Sequence, residues 1–563
     1  MSKHRYYPEK NTPHTENLIS QRKAIEKYGV TKNFIDKYFP KPAVVKYGKN
    51  YQYMRLWKEE DIVAALSRPD VKAMLDDLEA SRQRDRDLAE ARTMFMNYTP
   101  DYLVEKAKHL KRVFILHVGP TNSGKTYNAI EALKRAGDGV YLGPLRLLAL
   151  EMFDKLNAAG IKCSLLTGEE SIPTEGATAI ASTIELCDTG KHYSVAIIDE
   201  AQLIADDERG SSWLRAICAV NADEVHICLA PEALGYIESL VSQFGDPYTV
   251  VQHERLVPLV YSGRCKGYED VQPGDAVICF SRKNVLSTAA YLERAGFKAS
   301  VIYGALPPAA RRNEVSKYTS GETNVIVATD AIGMGISLPI RRIVFAETDK
   351  FDGRSRRPLL SGEVRQIAGR AGRYGMFDLG EVLTMTEDDI IKEGLETRVL
   401  RVRTPCIGFP REALDTRFSL DVLLRAWQTL PLSRAFKRED MTTAIALLSM
   451  LKDNYRDTER ELVFSLITCP IDKDNRDLTF YWLRCARAIL RARRVPDPDF
   501  DIDTLEGCEL QYKAWDVNHQ LKTRIGRTDD TSAAKREAIC KRIGELMAKS
   551  KEDYIISENT YSI

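Results

Sequence analysis

The stretch Gly119-Pro-Thr-Asn-Ser-Gly124-Lys125-Thr126 constrains this chain more than any other feature. It follows the apolar run Val113 to Val118 and precedes a helix-period pattern from Tyr127 to Lys134. Strand, glycine-bearing loop and helix, in that order, turn backbone N–H groups inward around an anion and aim the positive end of the helix at it. Lys125 then reaches terminal phosphates and Thr126 can ligate Mg²⁺. Gly119, Pro120, Thr121, Asn122, Ser123, Gly124, Lys125 and Thr126 together read as a nucleotide-phosphate site. Alone, the motif implies binding only.

Two further segments extend the chemistry. Val195 to Gln202 is an apolar strand ending in the adjacent acids Asp199 and Glu200. Asp199 is expected to hold Mg²⁺ with Thr126, and Glu200 to orient and deprotonate an attacking water. Hydrolysis is thereby implied. Gln366-Ile-Ala-Gly369-Arg370-Ala-Gly372-Arg373 lies far downstream. Arg370 and Arg373, read as a pair on one face of a helix start, would neutralise phosphate charge from a second domain.

At 563 residues, with 44% hydrophobic and 29% charged content, the chain has room for about three or four domains. From Lys111 to about Met385, Val/Ile-rich runs alternate with helical stretches, the signature of parallel sheets wrapped by helices. Candidate strands are 113–118, 139–142, 195–199, 225–229, 276–280, 324–328 and 342–345. The low-signal stretch Arg255 to Gly274 divides them into two halves. Beyond Thr386 the strand signal fades into charged, helical sequence. Ahead of the sheets, a helix ends at Tyr28, Gly29 turns, Thr31 caps a second helix ending before Pro40, and Val44 to Trp57, with Gly48 and Asn50, forms a hairpin. Pro69 to Lys108 reads as one or two connecting helices.

Apolar runs such as Val113 to Leu116 fall far short of the roughly 20 residues a membrane helix needs, so no membrane association is expected. The eleven cysteines stand as singletons without CxxC pairs, which argues against a zinc site or disulfide framework. Lys and Arg (81) balance Asp and Glu (80), so any binding to nucleic acid must come from local grooves. Met1 to Glu16 lacks a signal-peptide core, and Glu9 and Glu16 speak against a transit peptide. The expected compartment is the cytoplasm, with the mitochondrial matrix as the alternative.

These residues resemble superfamily 2 helicases, and more narrowly the suppressor-of-var (Suv-three) group of DExH-type RNA helicases. The resemblance rests on Gly119 to Tyr127, Gly143-Pro-Leu-Arg146 to Glu151, Thr167-Gly-Glu-Glu170, Tyr303-Gly-Ala-Leu-Pro307-Pro308, Ala328-Thr329-Asp330-Ala-Ile-Gly333-Met-Gly335, and Lys350-Phe-Asp-Gly353 leading into the Gln366 motif. It implies two tandem RecA-like P-loop domains with ATP between them, Gly333 adding to the ATP site, and Gln366 acting beside the arginines. It also implies that Arg146, Thr183, Glu185, Ser281, Tyr303, Thr329 and Asp330 touch a nucleic-acid strand or relay its presence. Leu229-Ala-Pro-Glu-Ala233 stands where such enzymes carry a Ser-Ala-Thr linker, and Ser337 where many carry Asn, so these positions depart from the pattern.

Phe464 to Asp472 and the region around Leu510 to Leu521 resemble the group's helical appendage, and Trp427, Trp482 and Trp515 are read as core. Ala24 to Leu66 resembles a MerR-like winged helix-turn-helix, with Lys32, Lys41, Lys46, Lys49 and Arg55 as a basic face and Tyr47, Tyr51 and Tyr53 available to stack. The expected fold is α/β: a winged helix-turn-helix over 1–68, a helical connector over 69–110, RecA-like domains over 111–255 and 256–386, and a helical domain over 387–563. The resemblance implies an ATP-dependent RNA helicase using ATP and Mg²⁺ and moving 3′ to 5′ on single-stranded RNA or a 3′-tailed duplex. RNA turnover beside an exoribonuclease partner is implied too. A DNA-directed helicase or an ATP-gated RNA clamp are the alternatives.

Overall fold

The computed structural model describes residues 17–39, 41–47, 53–168, 170–333, 338–353, 355–386, 389–397, 401–402, 404–431, 433–451, 455, 459–527 and 531–560. Gly48, Lys49, Asn50 and Tyr51, Pro40, Gly335 and Ser337 from the sequence reading lie outside these. The chain divides into two compact units, one ending at Ala91 and the other starting at Arg92.

In the first unit, strands β1 (Leu18–Ser20), β2 (Val44–Tyr47) and β3 (Tyr53–Lys58) form an antiparallel sheet in the order β1-β3-β2. Helix Gln21–Tyr28 ends on Gly29 at φ 67°, a left-handed cap. Thr31 Oγ1 accepts from Phe34 N at 3.1 Å and starts helix Lys32–Tyr38. Ala24, Val30, Phe34, Ile35, Trp57 and Ile62 make its core. Lys32, Lys41 and Arg55 are exposed.

The second unit holds two RecA-like domains with parallel sheets and a helical C-terminal region. The first sheet comprises β4 (Val113–Val118), β5 (Gly139–Gly143), β6 (Cys163–Leu166), β7 (Ser171–Ile172), β8 (Ala179–Thr183), β9 (His192–Ile198), β10 (Asn221–Leu229) and β11 (Tyr248–Gln252). Its order is β11-β4-β10-β9-β5-β8-β6-β7, parallel apart from β7. The second comprises β12 (Leu259–Arg264), β13 (Asp275–Ile278), β14 (Ala299–Ile302), β15 (Val325–Ala328), β16 (Arg342–Phe345) and, beyond the ribbon β17 (Asp349–Phe351) and β18 (Arg356–Pro358), β19 (Gly380–Thr384). Its order is β12-β19-β16-β13-β15-β14. Helices cover both faces, so β5, β13, β14, β15 and β16 are buried along their whole length.

Two expectations need correction. The low-signal stretch contains β12, the edge strand, whose short apolar start, Leu259-Val260-Tyr261, follows Pro258 and gives way at once to Ser262-Gly263-Arg264, and whose residues alternate between intermediate and exposed. Arg370 and Arg373 do not open a helix. Helix Ser361–Ala368 has already ended, and both arginines follow in the turns after Gly369. Trp427, Trp482 and Trp515 are buried core.

Candidate active site

Parallel strands deliver their C-terminal ends to one edge of a sheet, where irregular backbone can meet a ligand. β4 runs straight into the phosphate loop. A Cβ on Gly119 would lie 2.6 Å from both the His253 carbonyl oxygen and Ser123 Oγ, so only glycine fits. Gly124, at φ 80°, starts helix Lys125–Ala136. Pro120 to Thr126 line a cavity of about 530 Å³ together with Tyr141, Glu151, Asp199, Glu200 and Arg370.

Lys125 is 7% exposed, and its Nζ donates to Gly119 O at 2.9 Å and Pro120 O at 3.3 Å. Thr126 Oγ1 donates to Asp199 Oδ1 at 3.3 Å, Tyr141 Oη donates to Asp199 Oδ2 at 2.9 Å, and Glu200 N donates to Asp199 Oδ1 at 2.9 Å. Burial, then the neighbouring charge of Glu200, push the Asp199 carboxyl up to about 6. A divalent cation would reverse that penalty. The hard oxygens of Thr126 and Asp199 suit one that takes its other ligands from phosphate and water. Among the described residues no group of three or more His, Cys, Asp or Glu could cage an ion unaided.

Glu200 adopts φ 52°, a conformation that costs a non-glycine residue about 1 kcal/mol or more. Its carboxylate accepts from Gln202 Nε2, while Gln202 Oε1 accepts from Ala230 N at 3.1 Å. One side chain thus joins the acidic box to the Leu229–Ala233 segment, which the sequence could link only by analogy.

The second domain closes the cavity. Arg370 lines it, with Nε and a terminal nitrogen donating to Gly333 O at 3.1 and 2.6 Å. Burial lowers its pKa, opposed by Glu200, Glu151 and Asp199. Gly333 therefore seats Arg370. Gln366 is exposed, and neither it nor Arg373 lines the cavity. The two domains touch through Gly369, whose carbonyl accepts from Asn122 Nδ2 at 3.0 Å and from Arg255 at 2.9 Å. A Cβ at Gly369 would sit 2.9 Å from Thr121 Cβ. Arg255 also donates to Thr121 O at 3.1 Å, to Val257 O at 2.7 Å and to Ala371 O, which ties the phosphate loop to the arginine turn. No motif marked Arg255.

The residues expected at a nucleic-acid strand lie at strand ends or just past them. Arg146 opens a helix beyond β5, 3.6 Å from Glu170 and 3.5 Å from Tyr512 Oη. Thr183 ends β8, and Glu185 pairs with Arg209 at 2.7 Å. Ser281 Oγ caps a helix by accepting from Asn284 N at 3.0 Å. Thr329 Oγ1 accepts from Ala331 N at 3.2 Å, and Asp330 pairs with Lys350 at 2.6 Å. Tyr303 follows β14 directly but is turned inward. It is 2% exposed, and its hydroxyl donates to Glu509 Oε1 at 2.8 Å, so it is core rather than contact surface. Helix Leu505–Arg524, which supplies Glu509 and Tyr512, also pairs Glu509 with Arg282 at 2.7 Å and so touches both RecA-like domains. No sequence signal identified these pairings.

Behind the phosphate loop, His117 Nδ1 lies 3.1 Å from His253 Nε2, and His117 Nε2 lies 2.9 Å from His226 Nδ1. Burial, reinforced by the other two imidazoles, lowers His117 from 6.5 to about 4. His226, which faces Glu224 and Arg135, and His253, near Lys125, are lowered too. The unfolded chain therefore binds these protons first. Stability is full above about 6.5 and falls as pH drops towards 4. Thermal melting across that window should show this acid limb, and His117→Asn should flatten it.

Residues 100–253 match the family model for the DEXQ-box helicase domain of Suv3, and residues 259–375 that for the helicase conserved C-terminal domain. The chain is 43% identical over 290 residues to the mitochondrial DExH-box ATP-dependent RNA helicase DExH16 of Arabidopsis thaliana, covering 50% of this chain and 51% of that one. It is 42% identical over 296 residues to the mitochondrial ATP-dependent RNA helicase SUV3 of Oryza sativa, covering 52% and 51%. With human mitochondrial SUPV3L1 the figures are 39% over 322 residues, covering 54% and 40%. The chain spans about half the length, or less, of these relatives. All are named as mitochondrial, which overturns the expected cytoplasmic location. Compartment is set by an address that a receptor reads, and bulk composition reports on it poorly. The matched segments contain the two sheets described above, so the chain carries a Suv3-type DEXQ-box helicase domain followed by a helicase conserved C-terminal domain.

Proposed function

We propose that this chain is an ATP-dependent RNA helicase. The observation that carries the reading is the cavity in which Lys125, Thr126, Asp199 and Glu200 of one RecA-like domain face Arg370 of the other. Thr126 and Asp199 would hold Mg²⁺, which would supply charge neutralisation at the phosphates. Glu200 takes the proton of the attacking water. Lys125 and Arg370 bear on the phosphate charge from opposite domains, so hydrolysis changes how strongly the domains attract each other. Arg146, Thr183, Glu185, Ser281, Thr329 and Asp330, at or just past strand ends, touch the strand at its phosphates and riboses without reading sequence, or relay its presence to ATP.

By the same reading the motor moves 3′ to 5′, serves RNA turnover with an exoribonuclease and works in the mitochondrial matrix; of these, the relatives' names support only the mitochondrial compartment. The first unit is a MerR-like winged helix-turn-helix that adds a nucleic-acid contact. The test is ATP turnover with matched RNA and DNA strands, followed by displacement from duplexes with either tail. Stronger stimulation by DNA would support a DNA-directed motor, and turnover without displacement an RNA clamp.

Arg255 supplies a second test of the two-domain site. Arg255→Gln is expected to lower kcat roughly tenfold with little change in the KM for ATP, because only transition-state alignment is lost. In an Arg370→Ala background the same change should add little. Equal losses in both backgrounds would separate Arg255 from the arginine turn.

A further inference from the structure

Helix Arg476–Leu490 has two unlike faces. Leu478, Thr479, Tyr481, Trp482, Cys485, Ala486 and Ile489 are buried. Arg476, Phe480, Arg484 and Arg487 are exposed, as is Arg491 at the C-cap. At roughly 100° per residue these five fall within an arc of about 80°, along about 22 Å of axis. No acid interrupts the stripe, and Asp477 lies at its edge. Arg476, Arg484 and Arg487 find no carboxylate partner among the described residues. Phe480 stands among these arginines at 65% exposure, although the same helix buries Tyr481 and Trp482. In a chain of net charge +1, this segregation of cations around one uncovered ring serves no packing need.

We propose that this face binds single-stranded RNA as a second contact, outside the motor's strand-end residues. The arginines hold successive phosphates, and Phe480 stacks on an unpaired base. Charge complementarity selects a polyanion, and the ring at the centre selects one with exposed bases. The inference rests on the reading of the chain as RNA-directed.

The test uses the full chain and a fluorescent single-stranded oligouridylate, with binding followed by anisotropy across a salt series. Replacing Arg476, Arg484 and Arg487 with Gln should weaken binding at least tenfold and reduce the slope of log K against log salt by about 2. Phe480→Ala should weaken binding roughly tenfold at an unchanged slope, and Phe480→Tyr should restore it, since stacking needs a ring rather than a charge. ATP turnover without RNA should be unchanged in every variant, which controls for folding. If the unsubstituted chain binds RNA and the triple variant matches it in affinity and slope, this face is not an RNA surface, even if it takes a protein instead. If the unsubstituted chain binds no RNA, the proposed function itself fails.

Discussion

Lys125→Ala is expected to reduce ATP turnover by roughly two to three orders of magnitude, the range seen when one charge-stabilising donor is removed from a closed site. The side chain is 7% exposed, and its ammonium contacts the carbonyls of Gly119 and Pro120, inside the loop that phosphate oxygens would enter. Alanine removes that cation and leaves both carbonyls without their donor. Arg370, across the cavity, bonds Gly333 and does not substitute for it. Phosphate release at saturating ATP measures the effect, with thermal melting to show that the fold survives. A variant that keeps full hydrolysis would end the phosphate-loop assignment.

Glu200→Gln should separate binding from chemistry. The amide keeps the side chain's size, while the base is lost. Turnover should fall roughly 10² to 10⁴-fold, the usual contribution of a positioned acid–base group, with ATP affinity nearly unchanged. The strained backbone at φ 52° fixes where the carboxylate points, and Gln202 ties it to Ala230. Binding of a fluorescent ATP analogue, paired with quenched-flow hydrolysis, reads the two quantities apart. Unchanged turnover would remove Glu200 from the role of base.

The readings made directly from sequence concerned groups that lie close together along the chain. A strand, a glycine-bearing loop and a helix start within Val113 to Lys134 suffice to shape a phosphate site, and Asp199-Glu200 at a strand end is equally local. The Thr31 cap and the Gly29 turn were legible for the same reason. What escaped had a weak local signature or none. β12 is a half-exposed edge whose three apolar residues sit between Pro258 and Ser262-Gly263, and β14 is four buried residues that a periodicity of either kind would fit. Arg370 and Arg373 were paired on a helix that ends before them, because the pattern around Gly369 and Gly372 does not show where the last helical hydrogen bond falls.

Tyr303 marks the boundary most clearly. Its motif placed it at the strand, yet Glu509, over two hundred residues later, takes its hydroxyl and closes it into the core. By itself the sequence determined the phosphate loop, the acidic box, the arginine-bearing motif and the alternation that makes parallel sheets, since each depends on neighbours along the chain. Only the tertiary structure decided that Arg370 rather than Arg373 lines the cavity beside Lys125 and Asp199, that Arg255 joins the domains, and that helix Leu505–Arg524 touches both. Those outcomes depend on which distant carbonyls and carboxylates converge, and packing of whole domains sets that convergence.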